Sequence, residues 1–188
     1  MFHEYLAANM IERDGVSPAA DLERSAGGGW IYCEFIRVTV YFECTTHTRI
    51  PQVELFDRSR SIDAHTGSMA RSKETAIAGT TTGLISLGQQ VTWRAWHFGI
   101  PIRMTSRITE MDVPNYFVDQ QGSGPFQRFR HVHEFSQHDE VTTMVDRFEF
   151  AASLGPLGRV VERLLLARYL KKLIETRNQY LVEEPAHQ

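Results

Sequence analysis

From residue 89 to residue 151 the chain alternates apolar and polar side chains with a period of two, interrupted only by short turn signals. This predicts strands at 90–98, 101–111, 115–121, 126–136 and 141–151. The breakers are Gly99-Ile100-Pro101, Asp112-Val113-Pro114-Asn115, Gly122-Ser123-Gly124-Pro125 and Gln137-His138-Asp139. None is long enough to carry a crossover helix, so the strands should follow one another as antiparallel hairpins. Upstream, Ile36, Val38, Val40, Phe42 and Cys44 alternate with Arg37, Thr39, Tyr41 and Glu43, which reads as a further half-buried strand. Pro51 then suits the first turn of a helix with apolar positions Val53, Leu55, Phe56 and Ile62. A short strand near 74–78 and a loop at 79–83 lead into the meander.

After Gly155-Pro156 the period changes. Residues 157–182 are rich in Leu, Arg, Lys and Glu with no strong breaker, which predicts a long helix. Leu157, Val160, Val161, Leu164 and Leu165 share one face, whereas Leu170, Leu173, Ile174 and Leu181 lie roughly opposite. The stripe changes sides at Leu164-Leu165-Leu166, so the helix either kinks or packs its second half on something else. Arg159, Arg163, Arg168, Lys171, Lys172 and Arg177 against Glu162 and Glu175 read as a solvated basic face.

Composition narrows the class. A chain that is 42% hydrophobic and 11% aromatic is not intrinsically disordered, and 188 residues suffice for one domain with a core. The net charge of −3 leaves no basic footprint for nucleic acid. Glu4, Glu12, Asp14, Asp21 and Glu23 against Arg13 and Arg24 place all of that −3 in the first 30 residues. Turn signals at Asp14-Gly15-Val16-Ser17-Pro18 and Gly27-Gly28-Gly29 follow, so residues 1–29 are expected to be a mobile N-terminal extension and 30–188 a single domain. The alternative is a helix docked through Phe2, Tyr5 and Leu6. No run of about 18 apolar residues offers a membrane span, and the N-terminus lacks the basic start and apolar stretch of a secretory signal. Two cysteines, Cys33 and Cys44, are too few for a disulfide framework, and a cytoplasmic location is expected.

Strand, helix, antiparallel run and long C-terminal helix together resemble the helix-grip fold of the SRPBCC superfamily, the group of START domains, pollen-allergen-like proteins and polyketide cyclases. The residues carrying the resemblance are Ile62-Asp63-Ala64-His65-Thr66, Val91-Thr92-Trp93-Arg94-Ala95, His97-Phe98-Gly99 and Thr105-Ser106-Arg107-Ile108-Thr109. Further along they are Gly124-Pro125-Phe126, Phe129-Arg130-His131-Val132-His133-Glu134-Phe135 and Gly155-Pro156-Leu157-Gly158. The resemblance covers about 31–182. It implies an α+β fold in which a curved antiparallel sheet wraps a long C-terminal helix, with a hollow between them for a mostly apolar ligand.

Strand parity leads to the same hollow. Phe129, His131, His133 and Phe135 share a face, which Gln127 joins, and Thr142, Met144, Asp146, Phe148 and Phe150 share the facing one. Aligning the two across the loop at 136–141 pairs Phe135 with Thr142, His133 with Met144, His131 with Asp146, and Phe129 with Phe148. A His131–Asp146 contact on the inner face is therefore predicted, in which the carboxylate orients the ring and raises its pKa. Trp93, Ala95 and His97, then Met104, Ser106 and Ile108, then Phe117, Asp119 and Gln121 extend that face. The expected ligand wall is Trp93, His97, Met104, Ser106, Ile108, Phe117, Asp119, Phe129, His131, His133, Phe135, Met144, Asp146 and Phe148. Its polar members either satisfy one another in a structural network or anchor a ligand.

Two functions fit. One is binding of a small hydrophobic, amphipathic or aromatic molecule, lipid-like or polyketide-like, without cofactor. The other is a cyclase or dehydratase with His131 and Asp146 as an acid/base pair. No Gly-x-Ser-x-Gly elbow, phosphate loop or dinucleotide fingerprint is present. A metal site on His131 and His133, with His97 as a third ligand, is not expected. A cupin would need a Glu where Gln137 and His138 stand, and its second motif is missing. Trp96 and Phe98, beside Arg94 on the outer face, mark either a homodimer contact or a patch covered by the N-terminal extension.

Overall fold

A computed structural model of the chain describes residues 40–152 and 166–183. The expectations for residues 1–29, for the strand start before Val40, for Cys33 and for the first half of the C-terminal helix lie outside them.

The order is β1 (Val40–Thr48), α1 (Gln52–Ser59), α2 (Ile62–Ser68), a 3-10 turn (Ala70–Ser72), β2 (Thr75–Gly79), β3 (Gln90–His97), β4 (Ile100–Asp112), β5 (Tyr116–Ser123), β6 (Phe126–His138), β7 (Val141–Ala152) and α3 (Ala167–Glu183). The strands form one sheet in the order β1-β7-β6-β5-β4-β3-β2, with every pair antiparallel. Sequential hairpins build β2 to β7, and β1 returns to pair with β7. This is the helix-grip architecture that the sequence suggested.

Local chemistry explains the corners. The β3–β4 hairpin closes His97 on Ile100 through Phe98 and Gly99, both at positive φ (53° and 75°). A two-residue turn of this hand matches the right-handed twist of its strands. The single helix expected after Pro51 is two helices. The break comes at Arg60-Ser61, where Ser61 Oγ accepts from Ala64 N at 3.1 Å and caps α2. Val53 is exposed, while Leu55 and Phe56 are fully buried. Gln52 pins the start of α1 to the sheet by donating through Nε2 to Pro114 O and Phe135 O, both at 3.1 Å.

Helix α3 turns Leu170, Ile174, Arg177, Asn178 and Leu181 toward the protein, a spacing that keeps one helical face inward. Arg177 is 3% exposed, which corrects its assignment to a solvated basic face. Two apolar clusters result. Leu55, Phe56, Ile85, Trp93, Ile108, Phe117, Phe135, Met144 and Leu181 belong to the first. Val40, Phe129, Phe148 and Phe150 form the second, with Leu170 and Ile174 packed on it. Met144 and Phe148 on β7, like Leu181 and Ile174 on α3, belong to different clusters, and Asp146, Arg177 and Asn178 lie between them in sequence. A polar layer thus separates the two apolar ones.

Candidate functional site

The inner sheet face is as parity required at most positions. On β6, Phe129, His131, His133 and Phe135 are buried. On β7 the same holds for Thr142, Met144, Asp146, Phe148 and Phe150. Gln127 is not among them: it sits at a bulge between Phe126 and Arg128 and is exposed. The expected cross-strand register is wrong by one pair. Phe135 faces Met144, His133 faces Asp146, His131 faces Phe148, and Phe129 faces Phe150. The cause is the turn, which is only Asp139-Glu140, with Asp139 at φ 53° and His138 paired to Val141. Gln137 and His138, which read as a breaker in the sequence, are strand residues exposed to solvent.

Asp146 is nevertheless the centre of the polar layer. Its Oδ1 lies 2.8 Å from His131 Nε2, diagonally across the ladder, and 2.8 Å from His133 Nδ1, directly opposite. Only the first is an aligned hydrogen bond; His133 Nδ1 completes none. Oδ2 accepts from Asn178 Nδ2 at 2.7 Å. Arg177 Nη1 stands 3.8 Å from Oδ1 and donates to Asn178 Oδ1 at 3.2 Å, while Nη2 donates to Ser59 O at 2.6 Å. Ser59 O is a carbonyl at the C-terminal end of α1, where a cation also meets the favourable end of the helix dipole.

Burial and charge set the protonation states. Burial is the dominant effect on His131 and holds its pKa well below the usual value, with neighbouring His133 adding to the depression. The expected rise is therefore not found: desolvation outweighs the attraction of Asp146. His133 falls to about 4, again chiefly through burial. Burial pushes Asp146 upward, but the hydrogen bond from His131 and the close approach of the His133 ring prevail and hold it well below the ordinary carboxylate range. Near pH 7 the layer is an Asp146–Arg177 ion pair with two neutral imidazoles. His131, His133 and Asp146 each offer one ligand atom, all within 4.8 Å of one another. A metal ion there would sit beside a fixed guanidinium and compete with Asn178 for the same carboxylate, which makes a poor cation site.

Beside this layer lies a cavity of about 110 Å³ between the sheet, α1, α2 and α3. Of the expected wall, Trp93, Met104, Ser106, Ile108, Phe117, Asp119, Phe129, His131, His133 and Phe148 line it. Phe135 and Met144 do not, because both are packed into the first apolar cluster. Asp146 lies behind the two histidines, fully buried. His97 stands apart near the end of β3, where its Nδ1 meets Tyr169 Oη at 2.7 Å, and desolvation lowers its pKa.

Sequence reasoning missed Ser59, Arg60, Ser61, Ile62, His65, Glu74, Ile85, Val91, Ile174 and Arg177, which complete the lining. His65 rests on the Trp93 ring at 4.3 Å and bonds Glu74 Oε1 through Nε2 at 3.1 Å. That pair joins α2 to the chain just before β2, and no periodicity announces it. Arg177 was legible: it falls on the same helical stripe as Leu170, Ile174 and Leu181.

No protein-family model matches the sequence, and no curated protein matches it significantly. Solved structures do match. The protein TTHA0849 from Thermus thermophilus is similar at TM-score 0.64 and 14% identity, covering 77% of this chain and 95% of that one. The Zhui aromatase/cyclase from Streptomyces sp. R1128 is similar at TM-score 0.62 and 14% identity, covering 77% and 92%. A START superfamily protein from Mycobacterium smegmatis is similar at TM-score 0.59 and 12% identity, covering 75% and 96%. At such identities the likeness speaks to architecture: the chain has the helix-grip fold that these structures share. Among the described residues no helix is long and apolar enough to cross a membrane.

Proposed function

We propose that the protein binds a small apolar or amphipathic molecule in the cavity between the sheet and the C-terminal helix. The observation that carries this reading is the combination of an aromatic-walled cavity with buried polar atoms that lack protein partners. Ser106 Oγ and Asp119 Oδ1 both belong to residues of its wall. Fully apolar cores do not leave such atoms unmet, whereas ligand sites present a few of them on an apolar background. At about 110 Å³ the space is below the roughly 300–1,000 Å³ of drug-sized pockets. It suits a one-ring molecule better than the lipid or polyketide-like ligand expected from sequence.

Native mass spectrometry of the full chain tests this. A co-purified small molecule should appear with the protein and disappear in Ser106→Leu, which fills the cavity. Absence of any bound mass, together with no thermal stabilisation by one-ring aromatic probes, would overturn the reading. The cyclase or dehydratase alternative draws on one feature, the neutral His131 imidazole on the cavity wall with Asp146 behind it. Such a group can act as a base toward a substrate proton within hydrogen-bond reach. Once a substrate is found, unchanged turnover in His131→Ala would remove that role.

A further inference from the structure

The polar groups around the cavity divide into two sets. Asp146, Asn178 and Arg177 satisfy one another and Ser59 O, as the distances above show. On the neighbouring strands, Ser106 and Asp119 do not close in this way. Ser106 is 1% exposed, its Oγ completes no hydrogen bond, and the same is true of Asp119 Oδ1. The hydroxyl is close enough to moderate the carboxyl's acidity without an aligned bond. Leaving such atoms without a partner costs about 1–3 kcal/mol each, so the site is built for an occupant that donates hydrogen bonds.

Charge identifies what sort of donor. The groups around the space include three carboxylates, Glu74, Asp119 and Asp146. Against them stand two guanidiniums, Arg60, which is paired with Asp57 and donates to Ile85 O, and Arg177, while His65 is bonded to Glu74. Arg177 spends its hydrogen bonds on Ser59 O and Asn178 and makes none to Asp119. His131 and His133 are neutral. A carboxylate facing an aromatic-lined space without a bonded cation favours a ligand that supplies one, and aromatic faces favour cations as well.

We propose that the cavity takes a small aromatic amine, with its ring among Trp93, Phe117 and Phe129 and its protonated nitrogen donating to Asp119 Oδ1 and Ser106 Oγ. At about 110 Å³ the space is smaller than the roughly 150 Å³ that accommodates one benzene ring, so one ring with a short amine arm is the upper limit and wall side chains must give way to admit it. This proposal rests on the cavity-binding reading and adds the charge and size of the ligand.

The test is isothermal titration calorimetry of the full chain at pH 7.5 with benzylamine, benzyl alcohol and benzoate. Benzylamine should bind about tenfold or more tightly than benzyl alcohol, and benzoate should not bind. Asp119→Asn should abolish the preference for the amine while still binding benzyl alcohol, and its urea midpoint checks that it folds. Ser106→Ala should weaken benzylamine several-fold, which keeps the test open if Asp119→Asn does not fold. Equal affinity for benzylamine and benzyl alcohol would overturn the amine assignment and leave the cavity reading standing. Binding of none of the three would overturn both.

Discussion

Replacing Asp146 by Asn keeps the shape of the side chain and removes its charge. In the native fold His131 Nε2 donates to Oδ1 at 2.8 Å, Asn178 Nδ2 donates to Oδ2 at 2.7 Å, and Arg177 Nη1 lies 3.8 Å from Oδ1. An asparagine amide has one acceptor oxygen for these donors. With its oxygen toward Asn178, its NH₂ points at His131 and Arg177. With its oxygen toward His131, it meets the Asn178 NH₂ donor to donor. Either way Arg177, 3% exposed, keeps a buried charge without a counter-charge. Removing one partner of a buried ion pair costs about 3–5 kcal/mol. A tautomer change at His131 can recover one hydrogen bond, so we expect a loss of about 3 kcal/mol. Urea unfolding followed by far-ultraviolet circular dichroism measures it, with an unchanged m-value showing that the same surface unfolds. Arg177→Met in the Asp146→Asn background should restore part of the loss, because it removes the orphaned charge. A loss below about 1 kcal/mol, or no restoration by Arg177→Met, would show that the layer is hydrated rather than closed.

Further predictions concern pH and packing. His133 is depressed from 6.5 to about 4, so between those values the unfolded chain takes up the proton and stability falls with falling pH, by about 3 kcal/mol. Asp119 is raised from 3.8 to about 6, which has the opposite sign: over that interval the folded state holds more proton and stability rises as pH falls. Asp119→Asn should therefore steepen the acid-side loss of urea midpoint relative to wild type, and an unchanged slope would contradict this assignment. A Cβ at Gly67 would collide with Tyr180 Oη, so Gly67→Ala should lose about 1–3 kcal/mol in the same assay, partly recovered in Gly67→Ala/Tyr180→Phe. Phe98 is 69% exposed at positive φ in a two-residue turn that favours Asn before Gly. Phe98→Asn should raise stability by about 0.5 kcal/mol, and a fall would mean that its ring contact with Tyr169 outweighs backbone strain.

Much of this structure could be read from the sequence because sheet faces impose a period of two and burial enforces it. The inner positions of β6 and β7 needed nothing more than alternation. Register was harder, since it depends on where the turn falls. Gln137 and His138 are polar because their strand ends project beyond the core, and a polar strand end looks like a loop. Arg177 was hidden by an assumption about charge, although the helical stripe through Leu170, Ile174 and Leu181 already contained it. His65 and Glu74 meet across a short helix and a turn, where no repeating pattern points at a distant partner. The rise expected for the His131 pKa failed because two imidazoles and a guanidinium share one buried carboxylate, so desolvation prevails. Which inner residues face a cavity and which fill the core depends on side-chain volumes across three layers. That is why Phe135 and Met144 could not be separated from Phe129 and Phe148.

The most direct test of cavity binding is an amide NMR titration of the full chain with benzylamine. Saturable shift changes should concentrate at Trp93, Ser106, Ile108, Phe117, Asp119, Phe129, His131 and His133. Shifts confined to the exposed hairpin of Trp96 and Phe98, or none that saturate with either benzylamine or benzyl alcohol, would contradict a ligand site inside the grip of sheet and helix.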